Sequence, residues 1–140
     1  MMFKIFKNIS LLEMGLKADT LRKQVIANNI ANVDVPNFKR SEVAFEVTLK
    51  KILEKQKEIS EEPELLTIHP EHVAKRSLPN WEEVKPKVFI DYNSTMRNDG
   101  NNVDIEDEIM KLNRTQLHYS LLSDRIAGKF QEWNQIIRLA

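Results

Sequence analysis

Two imidazoles and a carboxylate fall close together at His69-Pro70-Glu71-His72. Metal ligands at this spacing usually share one turn of a helix, and Pro70 argues against a helix there unless it holds a first-turn position. The remaining histidine, His118, is far away in the sequence. Surface or capping roles are therefore expected for these histidines, and no metal. The run around Gly100 has the look of a calcium loop. With Gly100 at the sixth place, however, the first and third ligand positions are Thr95 and Arg97, which supply no carboxylate.

Other chemistries find still less support. The chain holds three glycines and no glycine-rich phosphate loop. It has no cysteine, hence no thiolate nucleophile and no disulfide framework. No serine or carboxylate pair stands in a catalytic context. Trp81, flanked by Pro79, Asn80 and two glutamates, either anchors a partner or covers a small core, and the core is the expectation. The 21 basic and 21 acidic side chains balance, so no strongly cationic surface is offered to nucleic acid or anionic lipid. No enzyme, cofactor or small-molecule substrate is expected.

What the sequence does specify is long helices. Asp99-Gly100-Asn101-Asn102 is turn chemistry. Asp104 is a candidate N-cap, and Glu106, Asp107 and Glu108 place negative charge in the first turn after it. Ile105, Ile109, Leu112, Gln116, Tyr119, Ser123, Ile126, Phe130, Trp133 and Ile137 then alternate spacings of three and four, a heptad seam. Such a helix, about 50 Å long at 1.5 Å per residue, needs a long partner. The amino-terminal segment supplies one. A cap at Asn8 or Ser10 opens a helix to about Asn32, with Leu11, Met14, Ala18, Leu21 and Val25 on its seam and Asn28 and Asn32 continuing the stripe. Leu12, Leu16, Ile26 and Ile30 form a second, partial stripe. Asparagines on such a seam usually fix register at some cost in stability.

The expectation is an elongated, mainly α protein whose terminal helices pair as a coiled coil around a small, irregular, β-containing middle. Its parts are residues 1–40 (helix and turn), 41–98 (middle) and 99–140 (capped helix). Within the middle, Ser41 to Ser60 reads as an amphipathic helix through Phe45, Leu49, Ile52 and Leu53. Glu58 to Glu64 reads as an acidic linker, and Val84 to Tyr92 as a strand. At the amino terminus, Met1 to Lys7 carries no helical start signal. The following apolar run, Ile9 to Leu12, is interrupted by Ser10 and stopped by Glu13, too short for a secretory signal. No stretch approaches the roughly 20 apolar residues that span a bilayer. Any export is expected to need no cleaved signal peptide.

The first helix ends in Ala27-Asn28-Asn29-Ile30-Ala31-Asn32-Val33-Asp34-Val35-Pro36-Asn37-Phe38-Lys39-Arg40. Pro36 pushes Val35 out of the helical region, and Pro36-Asn37 is a turn pair. This run resembles the amino-terminal signature of the bacterial flagellar rod and hook family of axial proteins. Val35-Pro36-Asn37-Phe38 stands where Thr-Pro-Gly-Tyr is more usual, and Asn37 is able to adopt the left-handed conformation that glycine favours. Asp99-Gly100-Asn101-Asn102-Val103-Asp104-Ile105 and the helix after it resemble the carboxy-terminal signature of the proximal-rod branch.

The resemblance implies a structural subunit at the base of the flagellar rod, polymerising helically into a drive shaft. It also implies export through the flagellar type III apparatus and assembly in the periplasmic space. Its implied partners are further copies, other rod subunits and the junction between rotor ring and rod. Asn28, Asn29, Asn32, Pro36, Asn37 and Phe38 are then candidate subunit contacts. The competing expectation, from another class, is a soluble coiled-coil adaptor or export chaperone.

Overall fold

The computed structural model describes the backbone of residues 2–61 and 80–139, with side chains from 8–59 and 80–138. His69 to His72, and the part of the acidic linker beyond Glu61, lie outside the described residues. The order of elements is helix α1 (Met2–Ala31), strand β1 (Ser41–Ala44), helix α2 (Glu46–Glu61), a 3-10 turn (Trp81–Glu83), strand β2 (Lys87–Ile90) and helix α3 (Ile105–Leu139). Two compact units result: residues 1–44 with 85–140, and residues 45–84. The first therefore joins the two end segments of the chain.

In that first unit α1 and α3 pack antiparallel. Gly15 lies against Leu122, Asp19 meets His118, and Asn29 meets Glu108. As one helix climbs, its partner descends. Beside them β1 and β2 pair antiparallel, with Ser41 opposite Ile90 and Ala44 opposite Lys87. The second unit is small. Its 3-10 turn packs on α2, and Phe45, Trp81 and Val84 are its buried side chains. Asn80 caps the turn by accepting from the Glu82 N–H. Trp81 thus covers a core.

The capped long helix, the Gly100 turn and the strand within Val84 to Tyr92 stand where the spacing places them. Two boundaries differ. Helix α1 begins at Met2 rather than at Asn8 or Ser10. No proline or glycine interrupts residues 2–8, and adding a residue to a helix already nucleated costs little. The amphipathic helix expected from Ser41 begins only at Glu46, because Ser41 to Ala44 pair with a strand more than forty residues away. A distant partner overrides local pattern there.

Candidate functional site

The two stretches that carry the family resemblance meet at one end of the α1–α3 pair and form a polar clasp. Its lower half is the turn after α1. Phe38 N–H donates to Val35 O at 3.3 Å, with Pro36 second and Asn37 third at φ 60°, the arrangement of a type II turn. Asn37 N–H reaches across to Asp99 O at 3.0 Å. Its upper half is the turn Arg97 to Gly100, closed by Gly100 N–H on Arg97 O at 3.1 Å. Gly100 has φ 79°, and a Cβ there would stand 2.7 Å from Asn37 Oδ1. Glycine is required twice over, by its dihedral and by the closeness of the two turns.

Three fully buried asparagines lock the halves together. Asn101 donates from Nδ2 to Asn32 O, Val33 O and Val35 O at 3.1, 2.9 and 2.9 Å. It thereby gathers three carbonyls of the turn that follows α1. Asn102 accepts from Arg40 N–H at 2.7 Å and donates to Asp91 O at 2.8 Å. Asn29 pairs with Ser41 as a strand residue would. It accepts from the Ser41 N–H and donates to the Ser41 O, each at 2.9 Å, and gives its other proton to Glu108 Oε2 at 2.9 Å.

Glu108 is the buried charge of the clasp, 1% exposed. Lys111 stands 3.1 Å from its other oxygen and Arg40 3.7 Å. Arg40 in turn holds Glu42 at 2.6 Å and Asp91 at 3.3 Å. Asp91 is lowered from 3.8 to about 2, first by the Ser94 hydroxyl and then by the Asn93 N–H, against the opposing effect of burial. Burial pushes the Lys111 ammonium down, but hydrogen bonds to Asp107 and Glu108 outweigh it and hold the group above its usual value. Asp104 caps α3, its Oδ1 accepting from Glu106 and Asp107 N–H at 2.9 and 3.3 Å. Among the described residues no buried side-chain nitrogen or oxygen lacks a partner.

Away from the clasp the helix pair is thinner. Ala18 and Ile26 are buried, while Leu11, Met14, Leu21 and Val25 are half-buried. On α3 the expected seam divides. Leu112, Tyr119, Ile126 and Trp133 are half-buried, but Ile105, Ile109, Phe130 and Ile137 are exposed in the single chain. The line turned toward α1 passes instead through Glu108 and Thr115, both buried, and the half-buried Leu122. One heptad line was legible. Its companion was not, because polar residues occupy it. Asp19 is likewise fully buried, bonded to Arg22 at 2.9 Å and to His118 at 2.6 Å. Lys23 lies 3.8 Å over the Tyr119 ring, a cation–π contact.

Of the candidate contact residues in the turn, Asn28, Pro36 and Asn37 are exposed, and Asn32 and Phe38 half-buried. Asn29 is not available to a neighbour: its side chain is consumed inside its own chain. Among the described residues no group of three His, Cys, Asp or Glu side chains is placed to hold a metal. No described helix is long and apolar enough to cross a membrane.

Paired terminal helices clasped through Asn29–Arg40 and Asn101–Glu108 define a mainly helical protein closed by its two end segments. The model of the family described as flagella basal body rod protein matches residues 12–39, the stretch that leads into the clasp. Over nearly the whole chain the likeness is more particular. It is 38% identical to the flagellar basal body rod protein FlgB of Borrelia hermsii over 133 residues, 94% of this chain and 96% of that protein. FlgB of Borreliella burgdorferi is 37% identical over 85% of this chain and 87% of its own length. FlgB of Bacillus subtilis is 28% identical over 90% and 89%. The chain belongs to the FlgB family of flagellar basal body rod proteins.

Proposed function

We propose that this rod-family chain is a subunit of the proximal rod, polymerising helically into the shaft that carries torque from the rotor ring to the distal rod and hook. The observation that carries the reading is the apolar surface that α3 leaves uncovered. Leu117, Leu121, Phe130, Ile136 and Ile137 stand between 48 and 74% exposed along one 35-residue helix, on more than one of its sides. Apolar groups spread around and along such a helix need covering by several others, and a densely packed helical tube has the stiffness a shaft requires. Further copies, other rod subunits and the junction between rotor ring and rod are the proposed partners. Passage through the flagellar type III export apparatus and assembly in the periplasmic space follow from the same reading.

Phe130→Asp tests it. Phe130 is half exposed and touches Trp133 edge-on at 6.4 Å between ring centres. The variant should remain soluble and helical by circular dichroism, since its charge stays hydrated in the single chain. In an assembled rod the same charge would be buried without a partner, at a cost of several kcal/mol. Basal bodies from cells carrying only this variant should lack rods under electron microscopy. Complete rods would refute a place for Phe130 in a contact between subunits.

A further inference from the structure

We infer that the helix pair has two registers one heptad apart, and that the clasp selects between them. The native set of contacts places Asp19 against His118, Asn29 against Glu108 and Gly15 against Leu122. Slide α3 by seven residues, about 10 Å at 1.5 Å per residue, and the line facing α1 repeats. Asp19 then meets Lys111, seven residues before His118. Arg22, now bonded to Asp19, meets Glu108, seven before the buried Thr115. Gly15 meets Thr115, another small side chain, Lys23 meets Asp107, and Ile26 comes level with Asp104 at the start of α3.

Buried charge normally penalises a slipped alignment, because a desolvated carboxylate without a partner costs several kcal/mol. Here that penalty is missing. Asp19 and Glu108, the two buried carboxylates of the pair, each find a cation in the shifted register. Apart from Ile26, apolar contacts discriminate little, since Leu112, Tyr119, Ile126 and Trp133 recur every seven residues. What the shift cannot keep is the clasp. Asn29 would lose Glu108, and the Asn101 bonds to the turn after α1 would have to break. Asn29 and Asn101 are therefore the residues that determine register, and the charged groups along the helices are indifferent to it. Opening the clasp would release a shear of one heptad between two packed helices, a recognised kind of two-state motion. In a polymer of long helices it would set the axial offset each copy presents to its neighbours. The inference needs only the helix pair and stands apart from the rod reading.

Disulfide trapping reads the register directly, and the chain contains no cysteine to confuse it. Gly15→Cys with Leu122→Cys reports the native register; the Leu122 substitution also removes the atom 3.0 Å from the new Cβ. Gly15→Cys with Thr115→Cys reports the shifted one. In the otherwise unaltered chain the first pair should close and the second should be a minor product, below about 10%. Adding Asn29→Leu should raise the second product at least about tenfold, the shift expected when a buried hydrogen-bonded pair is deleted. Adding Lys111→Ala to that background should lower the ratio of the second product to the first, because Lys111 flanks Glu108 on its own helix in either register but meets Asp19 only in the shifted one. Ser41→Pro, which removes the N–H that Asn29 accepts and also fixes the backbone there, is a second route to the same opening. A 15–122 product alone in both opened variants would overturn the inference. So would loss of the helical signal in both, since the pair would then have no second arrangement to enter.

Discussion

The clasp and the long run of the helix pair beyond it use opposite means. In the clasp, buried groups are polar and each is answered: Asn29, Asn101, Asn102 and Glu108 are all at most 1% exposed and all bonded. Along the helices toward Ile137 large apolar side chains stand exposed, Leu117, Leu121 and Ile137 among them. Direction-dependent bonds specify a geometry, whereas apolar area supplies energy without specifying one. The chain places its geometric information at one end and leaves its adhesive surface along the other.

The largest way to break this contrast is Asn29→Ala. It strands the Ser41 N–H and carbonyl and removes a donor from the Glu108 carboxylate, so a loss of about 3 kcal/mol is expected from several buried groups left unpaired. Thermal unfolding followed by circular dichroism should show it. Amide exchange on the unaltered chain should agree, with protection highest at Ile26 to Val33 and Val103 to Leu112. Protection should fall toward Leu11 and Ile137, where tertiary cover is thin. Uniform protection along both helices would erase the contrast.

Gly100→Ala is the next step down. The alanine must adopt a left-handed dihedral and push its Cβ toward Asn37 Oδ1, for which about 1–2 kcal/mol is expected. A melt shifted by less than the scatter between repeats would show that the two turns are not as tightly apposed as the distance implies.

Much of this was legible in the residues alone. Asp104 announces a cap, Gly100 and Pro36-Asn37 announce turns, and sevenfold spacing announces the Leu112 line. The hidden parts share one cause. Asn29, Asp19 and Glu108 look like solvated polar positions because their partners, Ser41, His118 and Arg40, lie elsewhere in the sequence. A seam read from apolar residues alone passes beside them, to Asn28 instead of Asn29 and to Ile109 instead of Glu108. Ser41 to Ala44 was hidden likewise, its strand state being conferred by Lys87 to Ile90. Local chemistry marks elements; burial of polar groups is decided by what the fold brings to them.

Acid sharpens the contrast more gently. Asp91 has its carboxyl lowered to about 2 in the folded chain, against about 3.9 when unfolded. Its contribution is therefore complete above pH 4 and is lost as pH falls toward 2. Lys111 carries the opposite sign: held above 10.5, it contributes below that value and its contribution fades as pH rises past it. Between pH 4 and 2 the clasp should loosen before the helices lose their circular dichroism. Replacing Asp91 by Asn should remove that component of the pH dependence. An unchanged acid profile in the variant would mean that Asp91 holds Arg40 and Asn102 no better than water does.

The smallest effect on the single chain is expected from Leu117→Glu with Leu121→Glu. Both leucines are more than 60% exposed, so little burial is lost, and glutamate is nearly as good a helix former as leucine. Stability of the isolated chain should change by less than about 0.5 kcal/mol, as for ordinary surface positions. In a polymer that covers this face the same pair would place two charges in an apolar contact, and rods should fail to form in cells carrying only this variant. The division of labour predicts this dissociation: clasp variants lower the stability of the chain, and face variants spare the chain and lose the rod. Unfolding of the purified double variant would put these leucines inside the single chain's own packing. Normal rods would show that neighbours bind elsewhere. Only a stable chain without rods assigns this side of α3 to other subunits.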